Sequence, residues 1–339
     1  MLNVSVTRGA YPAEATTFFQ FDQLDAFHTP EVMQLMYDDT WYGVLISAGN
    51  EAFLHSFQPL SVPQGGSLDI DPFIGYTGPV LTADPSDAFR EEAVEAYSAW
   101  CRAHGIIAEI MRFNPVLHND EAFQSSPAIG VFKAKDIVVA NCYPTEEAQL
   151  ASFATKCRSS VKRGMRDCTF GPLDKTTEWD AFVEFYMASL QRIGADPRWA
   201  YTPEILARMG KSDLFQLYGV QHNGELSSAS VVLAHPLASY YFLAASSEQP
   251  VQGANEYLLF GICKQVALQG GTHLILGGGN NAAEDDPLLR FKKKFAPEFS
   301  PLMLGRVAHE KQAFNQLVSA TVAARPELEE VRFFLKYRL

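Results

Sequence analysis

Hydrophobic positions along this chain recur with two different periods, and the switches between them mark out its elements. Residues 41–62, WYGVLISAGNEAFLHSFQPLSV, read as two strands joined at Gly49-Asn50. Residues 214–235, LFQLYGVQHNGELSSASVVLAH, repeat the device, with Asn223-Gly224 as a strong hairpin signal. Downstream of each hairpin the apolar residues recur every three or four positions, the period of a half-buried helix. In the first copy EEAVEAYSAWCRAHG runs through Gly105 into the strand-like IIAEIMRF. In the second, NEYLLFGICKQVALQGG runs through Gly270-Gly271 into THLILGGG. Glycine after the last periodic residue is the usual helix stop.

Hairpin, helix and strand in that order predict a mixed α/β unit. Two copies predict a duplicated domain, with chance recurrence of common units as the alternative. The boundary is expected after Pro144, giving residues 1–144 as the first domain and 145–328 as the second. Thr145 is a candidate N-cap, with Glu146 and Glu147 at the positive end of the helix dipole. A helix is expected around residues 310–322, and EEVRFFLKYRL (329–339) reads as a strand that returns to complete the first domain.

Two basic stretches carry candidate chemistry. Within residues 155–167 a step of roughly 100° per residue puts Cys157, Val161 and Met165 on one face. Lys156, Arg158, Lys162, Arg163 and Arg166 fall on the other, which suits either a solvated surface or a binding face for phosphates. The run DPLLRFKKKF (286–295) is more particular. Asp286 is a good N-cap and Pro287 a good first helical residue. Leu288, Phe291 and Phe295 form an apolar stripe with Leu289 at its edge, while Arg290, Lys293 and Lys294 face away. Lys292 projects between Leu288 and Leu289. A lysine there must snorkel, pair, or face a cleft as a cation in a partly dry pocket.

Composition narrows the setting. A chain of 339 residues with 47% hydrophobic and 19% charged residues fits one large or two ordinary soluble domains. Its net charge of -12 argues against non-specific coating of nucleic acid, DNA included, but allows a local basic groove. Five cysteines without a CxxC pair predict neither disulfides nor zinc and fit a reducing cytoplasm. Eight histidines without ligand spacing predict no metal. No signal peptide and no membrane span are expected. The run Gly277-Gly278-Gly279 lacks the Lys-Ser/Thr of a phosphate loop and reads as a close backbone approach at a strand end. With no GxSxG elbow and no cysteine in a nucleophile's setting, direct attack without a covalent enzyme intermediate is the simpler chemistry.

Several separated stretches together resemble a known family. They are GANEYLLFGICKQVALQGGTHLILGGG (253–279) followed by DPLLRFKKKF, DIDPFIGYTGPV (69–80), IMRFNP (110–115), the helix carrying KCRSSVKRGMRD, and the terminal FFLKYRL. Their order and spacing are similar to those of the FemABX-type aminoacyltransferases, the peptidoglycan-bridge peptidyltransferases within the GNAT acyltransferase superfamily. The resemblance implies two tandem GNAT-like α/β domains with mixed (α+β) sheets. It implies transfer of an amino acid from aminoacyl-tRNA to an amine of a muropeptide or related acceptor, with no cofactor. It maps the family's Phe-Lys pair onto Phe291-Lys292, and it implies that the segments around Tyr76, Arg112 and Phe113 line the acceptor side. It places Arg158 and Lys162 on a basic helix at the start of the second domain. Sustained heptads are absent between residues 170 and 260, so the coiled-coil insertion of the longer members is not expected.

The donor is the main fork. In GNAT enzymes that use acyl-CoA, a Gln/Arg-x-x-Gly-x-Gly/Ala loop cradles pyrophosphate ahead of a helix. Here QPVQGANEY (249–257) is a near miss, with Gln252 in place of the first glycine. That favours aminoacyl-tRNA, with Gly253, Ala254, Asn255 and Arg290 as donor-side candidates, over an acyl-CoA donor. A non-catalytic protein that binds a nucleotide-sugar or RNA is a third reading. Lys292 would stabilise negative charge on the donor's terminal ribose–phosphate or on the oxyanion, helped by backbone N–H groups of an irregular strand. Tyr240 and Tyr241 alternate along a strand, and Tyr241 is assigned to the cleft. Glu109, Asp285 and Asp286 are candidate bases that compete with surface or capping roles.

Overall fold

The computed structural model describes residues 2–72, 75–195, 201–279, 286–296 and 299–339. The chain forms two compact units, residues 1–134 with 302–339 and residues 135–301.

The first unit opens with β1 (Asn3–Arg8), α1 (Ala15–Phe18), α2 (Pro30–Tyr37), β2 (Tyr42–Ala48) and β3 (Glu51–Phe57). The short strands β4 (Leu60–Ser61), β5 (Leu68–Ile70) and β6 (Val80–Leu81) follow, then α3 (Asp87–Ala103) and β7 (Ile106–Arg112). Strands β1, β2, β3 and β6 pair antiparallel in that order, and β2–β3 is the hairpin expected at Gly49-Asn50. Beside β4, strands β5 and β7 run parallel, joined through α3 as the crossover. Ser86 caps α3 by accepting from the Phe89 amide at 3.2 Å. The helix buries Phe89, Ala93, Val94, Tyr97 and Cys101, the stripe its three- and four-residue periodicity foretold.

In the second unit β8 (Gly130–Asn141) brings the chain in, followed by α4 (Glu146–Ala151), α5 (Thr155–Asp167), β9 (Thr169–Pro172), α6 (Lys175–Arg192) and α7 (Pro203–Lys211). Next come β10 (Phe215–His222), β11 (Glu225–Leu233), β12 (Ser239–Ser246), α8 (Ala254–Leu268), β13 (His273–Gly277) and α9 (Pro287–Lys292). The sheet order is β8-β13-β12-β11-β10-β9, and β12–β13 is its parallel pair, with α8 as crossover. Thr145 caps α4 as predicted, accepting from the Ala148 amide at 3.3 Å. Hairpin, crossover helix and parallel strand therefore occur once in each unit, and both units are mixed α/β.

Strand β14 (Ser300–Ala308) returns the chain to the first unit by pairing antiparallel with β7, and α10 (Lys311–Ala324) follows it. Residues 302–328 accordingly group with the first unit, and residues 135–144 with the second, because β8 pairs with β13 through Val138–Asn141.

The strand expected at 329–339 does not form. That segment is irregular and ends in a 3-10 turn at Lys336–Arg338. Its apolar residues dock through side chains instead of a ladder: Leu335 and Tyr337 are buried with Ile107, Ile110 and Phe314. Polar anchoring comes from Arg338, whose Nε donates to both carboxylate oxygens of Asp69 at 3.0 and 2.8 Å, with Nη2 reaching the Ser61 carbonyl at 3.0 Å. Asp69 is fully buried. Removing the cation would strand that charge, so Arg338→Ala is expected to lower the unfolding free energy by about 3–5 kcal/mol, read as a lower urea midpoint. An unchanged midpoint would show that the tail is only tethered by its apolar residues.

Candidate functional site

The second unit holds most of the predicted residues, and its sheet is irregular where they gather. Between β12 and β13 the ladder consists of Ser239–Leu274 and Tyr240–Ile275, beyond which the parallel strands part. On the other edge of β12, Val232 faces Tyr241 and Val231 faces Leu243, so Phe242 is the extra residue of a β-bulge. A second bulge lies across β10 and β11, where Gln221 faces Leu226 and Val220 faces Ser228, leaving Ser227 extra. That bulge turns the Ser227 hydroxyl to the loop ahead of α8, where it accepts from the Val251 amide at 2.9 Å. Its carbonyl accepts from the Ser247 amide at 2.9 Å.

Lys292 stands at the carboxyl end of β13, just past the point where β13 leaves β12. Asp286 caps α9 as expected, accepting from the Leu289 amide at 2.9 Å, and Pro287 occupies the first position. One side of α9 then buries Leu289 and Lys292, and Phe295 follows in the next turn. Lys292 is only 9% exposed, and its ammonium donates to the Gly278 carbonyl at 2.8 Å. Burial disfavours the cation most, Lys135 adds like-charge repulsion, and Asp286 opposes both, leaving the amine pulled down to about 8. Phe291 is half-buried, with its ring 5.3 Å from that of Phe295. It packs, like the half-buried Tyr241, against the core cluster that includes Leu276, Leu289 and Phe295. Tyr240 is the more buried of the tyrosine pair, and burial pushes the Tyr241 hydroxyl upward.

The outward face expected of Arg290, Lys293 and Lys294 holds for Arg290 alone, which is exposed. After Lys292 the helix tightens into a 3-10 turn, so a step of roughly 100° no longer applies. Lys294 instead meets Glu256 of α8 at 3.1 Å and lies 5.1 Å over the Phe291 ring. Lys293 lies 4.2 Å over Phe299.

Helix α5 buries Cys157, Val161 and Gly164, close to the predicted stripe. Lys156, Lys162, Arg163 and Arg166 are exposed. Arg158 folds back, its Nε donating to the Phe153 carbonyl at 2.9 Å, and Arg166 pairs with Asp167 at 2.9 Å. The start of α5 is tied to the turn after α9 by the Ala154 amide, which donates to the Lys294 carbonyl at 2.9 Å. Further along, α5 lies directly on the N-terminus of α8. A β-carbon at Gly164 would stand 2.5 Å from the Gly253 carbonyl oxygen, and one at Gly253 would strike the Ser160 carbonyl. Gly253 is left-handed, with φ of 90°. Arg163 bonds the Gln252 side chain. Ala254 is buried, and the half-buried Asn255 accepts from the Ser246 hydroxyl at 2.9 Å. Gly253 thus packs on α5 at Ser160 and Gly164, with Ala254 and Asn255 opening α8 beside it, whereas Arg158 and Lys162 lie on α5 without joining that contact.

In the first unit Arg112 lies over the buried Tyr76 ring at 5.5 Å, so those two candidates meet. Phe113 is a core residue at 1% exposure, stacked on Phe123 with centroids 5.8 Å apart. Its ring has no face to offer an acceptor. Glu109 is enclosed as well: it accepts from the Tyr97 hydroxyl at 2.8 Å and meets His55 at 2.6 Å and His309 at 3.2 Å. Burial opposes its charge, but the two imidazoles outweigh that and hold the carboxyl at about 2. A carboxylate so held is a poor proton acceptor, so Glu109 is a structural anchor and not a base. Asp286 is engaged as a cap, and Asp285 lies outside the described residues.

Sequence reasoning missed Ser227, Glu256 and Lys135. Glu256 carried a usable signal, an acid in the first turn of a predicted helix. A bulge residue such as Ser227 and a strand lysine such as Lys135 carry none. Among the described residues no group of three or more His, Cys, Asp or Glu is placed to hold a metal, and no helix is long and apolar enough to cross a membrane.

No protein-family model matches the chain, and no curated protein matches it in sequence. Solved structures do. A crystal structure of FemX is similar with a TM-score of 0.64 at 14% identity, over 87% of this chain and 94% of that one. The structure of L-PGS from Bacillus licheniformis is similar with a TM-score of 0.54 at 12% identity, over 87% of this chain and 92% of that one. At these identities the likeness is one of fold. The chain has a FemX-like fold, as the spacing of its motifs led us to expect.

The buried ammonium generates a stability prediction. Its folded value of about 8 lies below the ordinary 10.5. Between those values the unfolded chain therefore holds more protons, and stability rises with pH across that window. The burial cost is present in full below pH 8. Lys292→Met removes it and is expected to unfold at no lower temperature than the parent chain at pH 7. The gain would be at most about 3 kcal/mol, would shrink as pH rises above 8 and would be gone above the ordinary value of 10.5. A markedly lower melting temperature at pH 7 would show that the Gly278 bond outweighs the cost of burying the charge.

Proposed function

We propose that the second unit is an acyltransferase site that forms an amide bond, moving an amino acid from aminoacyl-tRNA to the amine of a small acceptor. The observation that carries this reading is a desolvated lysine at the carboxyl end of β13, where β12 and β13 part and β12 bulges. A cation is expensive to bury. Here it is kept where negative charge would develop on an acyl donor, in surroundings that amplify its field.

The reaction is a direct displacement. The acceptor nitrogen attacks the ester carbonyl, a C–N bond forms, and the C–O bond to the terminal ribose breaks. The proton lost by the nitrogen balances the proton gained by the ribose oxygen. Lys292 in its charged form stabilises the oxyanion or the departing oxygen, and Phe291 and Tyr241 supply the apolar walls. Neither Glu109 nor Asp286 is placed to act as a base, which fits proton exchange between the two reactants.

The loop ahead of α8 supports the choice of donor. In it the Val251 amide is bound by Ser227, and the Ala254 amide is bound by the Val251 carbonyl at 2.9 Å. Gly253 is pressed against α5. A pyrophosphate of acyl-CoA would find these positions taken, whereas an aminoacyl-tRNA does not need them. Exposed Lys156 and Lys162 are available to an RNA backbone. A peptidoglycan-precursor-like amine is the acceptor we favour from the family resemblance.

The test is incubation with labelled aminoacyl-tRNA pools, and separately acyl-CoA pools, against candidate amines. Transfer should occur from the first, be abolished by ribonuclease, and fall by roughly 10²–10³-fold in Lys292→Met, the scale of losing one preorganised charge stabiliser. Ribonuclease-resistant transfer from acyl-CoA would replace the donor assignment. Unchanged turnover in Lys292→Met would remove the lysine from the mechanism, and no turnover with either donor would favour a binding protein.

A further inference from the structure

Helix α9, which carries Lys292, has six residues. A helix that short does not hold its own direction in water, so its aim is set by its contacts. Asp286 fixes the start, accepting from the Leu289 amide at 2.9 Å. Lys294, in the 3-10 turn that follows, fixes the end. Three contacts meet on that one residue. Its carbonyl accepts from the Ala154 amide at 2.9 Å, and its ammonium pairs with Glu256 of α8 at 3.1 Å. The same ammonium stands 5.1 Å over the Phe291 ring. Phe295 completes the packing, its ring meeting those of Phe291 at 5.3 Å and Phe153 at 5.1 Å, both edge-on.

The Glu256–Lys294 pair differs from a surface ion pair in how firmly each partner is held. Exposed pairs lose side-chain entropy on forming and are screened by salt. Here the Glu256 side chain is only 13% exposed. It lies in the first turn of α8, where the positive end of the helix dipole favours a carboxylate. Lys294 is restrained by the ring beneath its ammonium and by the bond to its own carbonyl. The buried Cys157 of α5 lies near enough to both partners for their charges to act on its thiol in opposite senses. The pair therefore stands where α5, α8 and the end of α9 meet.

We propose that Glu256 and Lys294 are positioning residues: their ion pair, set over Phe291, clamps the end of α9 and keeps Lys292 aimed at the Gly278 carbonyl. The use of that aim rests on the transfer reading above, but the clamp itself can be measured without any transfer.

The Lys292 side-chain resonance would be followed through a pH titration in the parent, Lys294→Met, Lys294→Arg and Glu256→Gln. Lys294→Met removes a cation and Glu256→Gln removes an anion. Acting only through space, the first change would raise the Lys292 midpoint and the second would lower it. Acting by position, both loosen the turn and admit water to the amine, so both should move the midpoint up toward the ordinary lysine value. Lys294→Arg should keep the parent midpoint, because a guanidinium can hold the carboxylate and lie over the ring. Shifts of opposite sign, or no shift in the folded variants, would overturn the clamp. Glu256→Gln preserves the shape of its side chain, and the sign of its shift alone decides the point should Lys294→Met fail to fold.

Transfer gives the second readout. In Lys294→Met and Glu256→Gln, kcat should fall by roughly 10- to 100-fold, the scale of misplacing a reacting group by about 1 Å. The donor KM should change much less, and Lys294→Arg should stay close to the parent. A lower urea midpoint with kcat unchanged would reduce the pair to a structural tie and overturn its positioning role. If no donor supports transfer, the proposed function fails, and the Lys292 titration still decides whether the clamp exists.

Discussion

The buried ammonium of Lys292 is the constraint around which the second unit is arranged. A lysine in that position cannot be solvated, so its charge must be met by fixed dipoles and nearby groups. Asp286 starts α9 at the turn that aims the lysine inward, and β13 runs out into glycines whose carbonyl at Gly278 accepts from the amine. Lys294 and the Ala154 amide then lock the turn after α9 to α8 and α5. Each of these features is explicable on its own as a cap, a strand end or an ion pair. Together they hold one cation at the place where two parallel strands separate.

The two units share a topology and spend it differently. In the first, the strand after the crossover helix carries Glu109, closed in by His55, Tyr97 and His309. These contacts join β3, α3, β7 and the segment after β14, so the charge there serves cohesion. In the second, the strand after the crossover helix ends in bare backbone beside two lysines, and the charge faces a parting of strands. One buried ionisable group anchors and the other is poised.

Much of this was legible from local rules. The Asn223-Gly224 hairpin, the glycine stops at Gly105 and Gly270-Gly271, the caps Thr145 and Asp286, and the inward aim of Lys292 all follow from turn chemistry and helical stepping. They depend on neighbours within a few residues. What escaped depends on contacts distant in sequence. The terminal FFLKYRL alternates like a strand, yet packs by Leu335, Tyr337 and Arg338 because Asp69 and the α10 surface claim those side chains. Lys293 and Lys294 left the predicted face because the helix ends at Lys292. Phe113 looked like a lining residue, but its ring is claimed by Phe123. Lys135 lies far from α9 in the chain, and no local pattern could bring the two lysines together.

The central claim is that Lys292 is a working cation held in a dry setting. It is tested most directly by following the Lys292 side-chain resonance through a pH titration by heteronuclear NMR, with Lys292→Arg to assign it, beside the pH dependence of transfer. The account predicts a midpoint near 8 and an alkaline fall in transfer rate at the same pH, absent in Lys292→Arg. A midpoint near the ordinary lysine value, or a rate that stays level while the amine loses its proton, would contradict it.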